Sequence, residues 1–280
     1  MVYYRGFVYR DILIFDKELM NTLVSHDSST ELLVKSSERV RDLGEVFTPK
    51  GTVKDILDLL PESVWSVHPS PAFLEPSCGD GNFLVAILER KLAEINTAYE
   101  AKDLLAGVTS ESAQFHALEA LASIYAVDLS IENVIGGTPG HEIGARSRLV
   151  ALFKKWNMEV LSKKLVDRSL VLRAAEWIVE HNVLVGNMLP VDSNGKPTGR
   201  DRIPLIEYVF EPSNQTVELL KTTMGDVIKE EEQKNASIQQ LFGPVPPVKL
   251  WRGKAFNIAE SDRVVAPTLN GPARNGLRRN

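Results

Sequence analysis

The sequence predicts an α/β fold with a mostly parallel sheet and helices on both faces. Short apolar runs that end at an acid or a glycine alternate along the chain with longer segments of helical periodicity, a pattern typical of such folds. The clearest transition lies at 72–84, which reads AFLEPSCGDGNFL. Residues 72–74 predict the end of a buried strand, Glu75 and Pro76 end it, and a helical pattern begins at Asn82.

Two glycines, Gly79 and Gly81, form the predicted turn between this strand and this helix. Glycine accepts a positive φ and lets a ligand approach the backbone closely. The spacing matches neither the dinucleotide fingerprint nor a P-loop, so no pyrophosphate cradle is expected. The acid Glu75 at the strand end would repel a phosphate, but it suits a ligand with an ammonium group. S-adenosylmethionine, with an amino acid head and a sulfonium, is such a ligand. The alternative is an ordinary turn that binds nothing.

Composition and charge narrow the class of protein. The chain has 280 residues, of which 44% are apolar and 25% charged, enough for one α/β domain with tails. No apolar run approaches the roughly 20 residues of a membrane span, and the N-terminus lacks a signal-peptide pattern. The single cysteine, Cys78, fits a reducing compartment and a filler role in the turn. A net charge of −5 argues against strong independent binding to DNA.

Three segments together resemble the adenine-specific DNA methyltransferases, which transfer a methyl group to an exocyclic amino group. FLEPSCGDGNFL resembles their motif I, GEVFTP at 44–49 resembles the motif before it, and IYAVDLSIENV at 124–134 resembles their motif II. The resemblance covers roughly 44–211. It implies a Rossmann-like methyltransferase fold, S-adenosylmethionine as cofactor and DNA as substrate, bound weakly by this chain alone or with a specificity subunit. It also implies the cytoplasm of a bacterial or phage-infected cell and a restriction-modification role.

The resemblance further implies roles for individual residues. Glu75 would meet the methionine end of the cofactor, Asp128 the ribose hydroxyls and Asn187 the adenine amino group. The full set of cofactor candidates is Phe47, Thr48, Pro49, Glu75, Pro76, Gly79, Gly81, Asp128, Leu129 and Asn187. Two of them have ordinary alternatives, since Phe47 could be a buried aromatic and Asp128 could cap the next helix.

The catalytic motif of that family, Asn/Asp/Ser-Pro-Pro-aromatic, is absent from this chain. The nearest candidate by position is IEYVFEPSN at 206–214, in which a predicted strand, 206–210, is followed by Glu211 and Pro212. These two residues are the catalytic candidates. Three readings stay open: an adenine methyltransferase, a methyltransferase-like binding or regulatory protein without catalysis, and, with less support from the motif order, a small-molecule methyltransferase.

The remaining segments predict the domain organisation. We expect a helical lead-in over 1–43, a cofactor-binding domain over 44–242 and a disordered Pro/Gly-rich basic tail over 243–280, with a helix over 216–232. The basic stretch 145–173 is either a solvated helix face or a contact with phosphates. No metal site is expected, because no metal-ligand spacing is found among the five histidines, His26, His68, His116, His141 and His181.

Overall fold

A computed structural model of the chain describes residues 7–8, 48–101, 109–137, 142–188, 203–224 and 247–268. Most of the predicted lead-in, the candidate Phe47 and the last twelve residues of the predicted tail lie outside the described residues. None of the helices that the structure describes combines the length and the apolar character needed to cross a bilayer.

One sheet of the described structure is parallel and has four strands. These are β1 (Phe7–Val8), β2 (Ala72–Glu75), β3 (Ile124–Asp128) and β4 (Val183–Val185), which neighbour one another in chain order. The strand end predicted over 72–74 is therefore confirmed. Because parallel strands share their direction, the residues that follow β2, β3 and β4 emerge at one edge of this sheet.

Helices connect the parallel strands, and three begin after a hydroxyl cap. The side-chain oxygens of Thr109, Ser130 and Ser169 each accept a hydrogen bond from a backbone N–H of the first turn. The helices within the described ranges are α1 (Lys50–Asp58), α2 (Asn82–Ala101), α3 (Ser110–Ala122), α4 (Ile131–Val134), α5 (Ala145–Glu159), α6 (Leu170–Asn182) and α7 (Asp262–Thr268), with 3-10 turns at Glu62–Trp65 and Ala255–Ser261. The predicted helix start at Asn82 is confirmed.

A second sheet is antiparallel and contains the longest strands. It is formed by β5 (Pro204–Glu211), β6 (Thr216–Thr223) and β7 (Val248–Lys254), of eight, eight and seven residues, whereas the parallel strands have two to five. The prediction of one mostly parallel Rossmann-like sheet with helices on both faces was wrong. The predicted helix over 216–232 is a strand at 216–223, and its remainder from 225 lies outside the described residues. The predicted disordered tail contains a strand, a 3-10 turn and a helix within 247–268.

The two faces of the parallel sheet have different neighbours, which explains this outcome. Phe73, Ile124 and Ala126 belong to the core cluster that contains the helices. The alternate residues Leu74, Tyr125 and Val127 belong to a second cluster, whose other buried members are Met188, Leu205 and Met224. Tyr125 also donates a hydrogen bond from Oη to the carbonyl of Ile206 at 2.7 Å. Among the described residues, the second cluster contains residues of the antiparallel sheet and its flanks and none from α1 to α7, whereas the first contains the helices together with other residues of that sheet.

Candidate functional site

The glycine turn joins β2 to α2 and adopts a conformation that favours glycine. Gly79 has φ +53° and Gly81 has φ +93°. The backbone N–H of Gly81 donates to the carbonyl of Cys78 at 2.9 Å, and the N–H of Cys78 donates to the carbonyl of Val127 in β3 at 3.2 Å. The turn is therefore closed on itself and docked against the neighbouring strand. Burial raises the pKa of the Cys78 thiol, which fits the predicted filler role and not a nucleophile.

Asp128, at the end of β3, holds this turn in place. Its Oδ2 accepts a hydrogen bond from the backbone N–H of Gly79 at 2.8 Å, and its Oδ1 accepts from Ser130 N at 2.8 Å and from Asn133 Nδ2 at 3.3 Å. The alternative reading of Asp128 as the cap of the next helix does not hold, because the side chain that caps α4 is that of Ser130. Asp128 is buried and joins the glycine turn to the start of α4.

Gly81 is also required by packing. A Cβ placed on it would lie 2.9 Å from Cβ of Ala145, the first residue of α5. Arg148, one turn further along α5, secures the same junction. It donates from Nη1 to the carbonyl of Asp80 at 2.8 Å and from Nη2 to Oδ1 of Asn82 at 2.8 Å. Close packing against α5 therefore explains why position 81 requires glycine, whether or not a ligand binds there.

The other predicted cofactor residues that the structure describes lie around the same edge. The carbonyl of Thr48 accepts a hydrogen bond from Asn82 Nδ2 at 3.2 Å, which places Thr48 and Pro49 beside the turn. Glu75 and Pro76 follow β2, and Oε1 of the buried Glu75 accepts from the backbone N–H of Ser77 at 3.3 Å.

Two further candidates stand after β3 and β4. Leu129, directly after Asp128, is 64% exposed despite its apolar side chain. Asn187 is exposed and follows Gly186, whose N–H donates to the carbonyl of Asp128 at 2.9 Å. The carboxyl ends of β2, β3 and β4 thus bring together acidic, amide and apolar side chains at one edge, which we call the glycine-turn edge. It is the set Thr48, Pro49, Glu75, Pro76, Gly79, Gly81, Asp128, Leu129 and Asn187.

The two catalytic candidates lie elsewhere. Glu211 ends β5, and Pro212 begins the four-residue turn of the β5–β6 hairpin. Oε1 of Glu211 accepts hydrogen bonds from Ser213, at 2.9 Å from Oγ and 3.4 Å from N. The hydrogen bond to Glu119 is the main cause that raises the pKa of His68, which precedes β2, and the charge of Glu211 adds to it. Phe210, the residue before Glu211, packs edge-on against Phe115 of α3 with 5.3 Å between ring centres, and Tyr208 donates from Oη to Oδ1 of Asn182, the residue before β4, at 2.8 Å. Glu211 therefore lies towards the edge where β2 and β4 begin, and the structure does not bring it together with the glycine-turn edge.

A polar cluster occupies that second edge, and the sequence pattern did not predict it. Nδ1 of His68 lies 2.8 and 2.9 Å from the two carboxylate oxygens of Glu119, and Nδ1 of His116 lies 3.3 Å from Oε2. Burial opposes ionisation of Glu119, but hydrogen bonds from both histidines outweigh it and leave the pKa of Glu119 below its usual value. Only the spacing of His116 and Glu119 along α3 is visible in the sequence, since His68 is separated from Glu119 by 51 positions.

Lys91 of α2 lies next to this cluster and is 2% exposed. Its Nζ donates to Oγ of Ser70 at 2.7 Å and to the carbonyl of Pro71 at 2.8 Å, and it lies 5.0 Å from the ring centre of Phe73. Burial lowers the pKa of Lys91 to about 7, against the attraction of Glu119.

The predicted basic stretch 145–173 divides into two groups. Arg146 and Arg148 donate to backbone carbonyls of neighbouring elements and so serve the fold. The exposed cations are Lys154, Lys155, Lys163, Lys164, Arg168 and Arg173. Whether this second group contacts phosphates stays a prediction.

No protein-family model, curated protein or solved structure matches this chain. The likeness to adenine methyltransferases is therefore carried by the three motifs alone. Fold and site together define an α/β protein with a glycine turn at the carboxyl ends of parallel strands.

Proposed function

We propose that the chain binds S-adenosylmethionine at the glycine-turn edge, as the cofactor-binding part of a DNA adenine methyltransferase. The observation that supports this most directly is the hydrogen bond from the N–H of Gly79 to Asp128, which joins motif I to motif II. In open α/β sheets, ligands bind outside the carboxyl ends of the strands. The resembling motifs of this chain meet at such an edge.

The donors and acceptors at this edge fit the parts of the cofactor. A carboxylate offers about four acceptor positions, and the described contacts of Asp128 use three of them, one on Oδ2. A ribose hydroxyl can therefore donate to Oδ2 of Asp128 without breaking the turn. Glu75 lies at the end of β2, where its charge attracts the ammonium group of the methionine part and disfavours a phosphate.

The adenine ring would be bound by the residues after β3 and β4. The exposed apolar side chain of Leu129 offers a face for a flat ring, and Asn187 carries a carbonyl oxygen that can accept from the adenine amino group. When bound, the cofactor would supply a methyl group on a positively charged sulfur. The role of the chain is to hold the two ends of the cofactor apart along this edge.

Substitution of Asp128 tests the proposal. We expect the wild-type chain to bind S-adenosylmethionine in a calorimetric titration. Asp128→Asn should weaken binding at least about tenfold, because a hydrogen bond to a charged group contributes about 1.5–3 kcal/mol. The exposed Asp167 between α5 and α6 provides the matched control, Asp167→Asn, which should bind like wild type. No heat with millimolar cofactor would contradict the proposal.

The second candidate is a binding or regulatory protein that holds the cofactor without transferring its methyl group. The position of Glu211 favours it. That residue is bound to Ser213 in a hairpin turn and lies towards the opposite edge of the parallel sheet. No residue of the resembling catalytic motif then stands beside the cofactor among the described residues.

The variant Glu211→Ala distinguishes a catalytic role of Glu211 from a structural role in the hairpin turn. Because Glu211 is remote from the glycine-turn edge, we expect the variant to keep its affinity for S-adenosylmethionine and any methyl transfer to DNA. Its loss of stability should stay near 1 kcal/mol, the scale of one hydrogen bond in a turn. Single-turnover transfer of a radiolabelled methyl group to DNA, with and without candidate subunits, is the measurement.

The outcomes of that assay are distinct. A wild-type chain that binds the cofactor but never methylates DNA supports the regulatory candidate. A slower transfer step in Glu211→Ala at unchanged cofactor affinity would place Glu211 in the mechanism after all.

A further inference from the structure

We propose that His68, His116 and Glu119 form a binding site for a divalent transition-metal ion of the zinc class. Each offers one ligand atom, and these atoms all lie within 4.8 Å of one another. Two imidazole nitrogens and one carboxylate oxygen are ligands that Zn²⁺ prefers, and three protein ligands leave a fourth position for water. The site is independent of the proposed cofactor site, because it lies at the edge where β2 begins.

The ligand atoms lie within about 0.6 Å of the spacing that a tetrahedral ion requires where their separations from Glu119 are known. Ligand atoms held about 2.0–2.1 Å from Zn²⁺ in a tetrahedron are about 3.4 Å apart. The separations from Glu119 oxygens are 2.8 and 2.9 Å to Nδ1 of His68 and 3.3 Å to Nδ1 of His116. An ion could therefore be accommodated by small movements of these side chains, without a change in the backbone.

The surroundings hold the ligands in this arrangement. Oε1 of Glu119 accepts a hydrogen bond from the backbone N–H of Ser70 at 3.1 Å, which orients the carboxylate. His116 is buried, with its ring edge-on to Phe115 at 5.4 Å. The two histidine rings are 5.8 Å apart. Such contacts reduce the cost of ordering the ligands when an ion binds.

Access to the site and its charge set the expected affinity. The side chain of His68 is 35% exposed, so an ion and its water can enter from solvent at that ligand. The carboxylate of Glu211 in the β5–β6 hairpin adds a negative charge within range of His68. The buried Lys91 opposes a second cation, although it contacts Ser70 and not the ligands. We therefore expect weaker binding than at a closed structural zinc site.

The competing arrangement is a purely hydrogen-bonded group, in which each histidine donates from Nδ1–H to Glu119. The two arrangements differ in the position of the ring protons, because a ring nitrogen that binds an ion cannot carry a proton. A neutral histidine moves this proton to its other ring nitrogen, whereas a charged histidine releases one to the buffer, so the dependence of the binding heat on the ionisation heat of the buffer counts the histidines that were charged before Zn²⁺ bound.

Titration of the untagged chain with Zn²⁺, after dialysis against a chelator, tests the proposal. We expect one ion per chain by calorimetry, with Mg²⁺ giving no heat, and Co²⁺ giving the visible absorption of a tetrahedral site. His68→Ala and Glu119→Gln should each lower the affinity at least about tenfold. The glutamine keeps the shape of Glu119 and an acceptor for Ser70. Glu111→Gln, an exposed position on the same helix, is the matched control and should bind like wild type.

Two results would overturn the site. One is the absence of Zn²⁺ binding to the folded wild-type chain. The other is binding that survives both His68→Ala and Glu119→Gln, since the ion would then be held elsewhere. Circular dichroism confirms that each variant is folded, and His68→Asn replaces His68→Ala if that variant does not fold. A failure to bind S-adenosylmethionine would leave this result unaffected.

Discussion

Replacing Gly81 by alanine is expected to lower the free energy of unfolding by about 2–4 kcal/mol. Two costs add. The φ of +93° is strained for any residue with a Cβ, at about 1–3 kcal/mol. The new Cβ would lie 2.9 Å from Cβ and 3.2 Å from Cα of Ala145, and forcing extra atoms into such a contact costs a further 1 kcal/mol or more, roughly. Urea unfolding of Gly81→Ala against wild type measures the sum.

A second glycine separates the two costs. Gly137 has a similar φ of +91°, but a Cβ placed there would meet no atom within 4 Å. Gly137→Ala should therefore show the backbone strain alone, at about 1–3 kcal/mol. The double variant Gly81→Ala with Ala145→Gly should recover the packing part of the loss. If Gly81→Ala lowers the free energy of unfolding no more than Gly137→Ala does, the close contact with α5 does not contribute to the loss.

Calorimetry on the same variants addresses the cofactor proposal. A displaced turn would move the N–H of Gly79 away from Asp128, so binding of S-adenosylmethionine should weaken in Gly81→Ala and not in Gly137→Ala. Equal affinities in both variants would mean that the turn tolerates the strain.

The glycine-turn edge was predictable because its signals are local. The acid after β2, the glycines and the helix start at Asn82 lie within a few positions, and the apolar run before Asp128 marks the end of β3. Each signal reports on the conformation of its own neighbours. Their meeting at one edge follows from the parallel pairing of β2, β3 and β4.

The antiparallel sheet was not predictable in the same way. The strand at 206–210 was expected, but its partner and its direction depend on a hairpin. The apolar residues Val217, Leu219 and Leu220 of β6 fit a helical period almost as well as an alternating one. Only the folded chain shows that the alternate residues Val217 and Leu219 are buried, as expected of a strand. A turn signal was present in the Pro-Ser-Asn run at 212–214, and it indicates a hairpin. The direction of β5 is what carries Glu211 away from the glycine turn.

The cluster around Glu119 could not be predicted from local sequence patterns. Its members come from the segment before β2 and from α2 and α3, and no periodicity connects them. A buried lysine is especially hard to predict, because lysine is nearly always exposed. The sequence therefore favours a solvated position for Lys91 in α2. The burial of Lys91 nevertheless leads to a specific prediction about how the free energy of unfolding depends on pH.

Stability should rise with pH between about 7 and 9, and this rise should vanish in Lys91→Met. Burial lowers the pKa of Lys91 from its usual 10.5 to about 7 in the folded chain. Below about 7, both the folded and the unfolded chain carry the proton, and the cost of the buried charge is present in full. Above it, only the unfolded chain keeps the proton, so the free energy of unfolding rises by up to about 1.4 kcal/mol per pH unit.

The slope must be compared between variants, because other groups act in the opposite direction. The hydrogen bond to Glu119 raises the pKa of His68, so its stabilising contribution is present below 6.5 and is lost as the pH rises through the higher folded value. That loss occurs in both chains and cancels in the difference.

The measurement is urea unfolding at steps from pH 7 to pH 9 with a chelator present. Lys155→Met, at a lysine that is 65% exposed on α5, is the control and should keep the wild-type slope. Equal slopes in wild type and Lys91→Met would show that Lys91 stays protonated in the folded chain, held by Ser70, the carbonyl of Pro71 and the charge of Glu119.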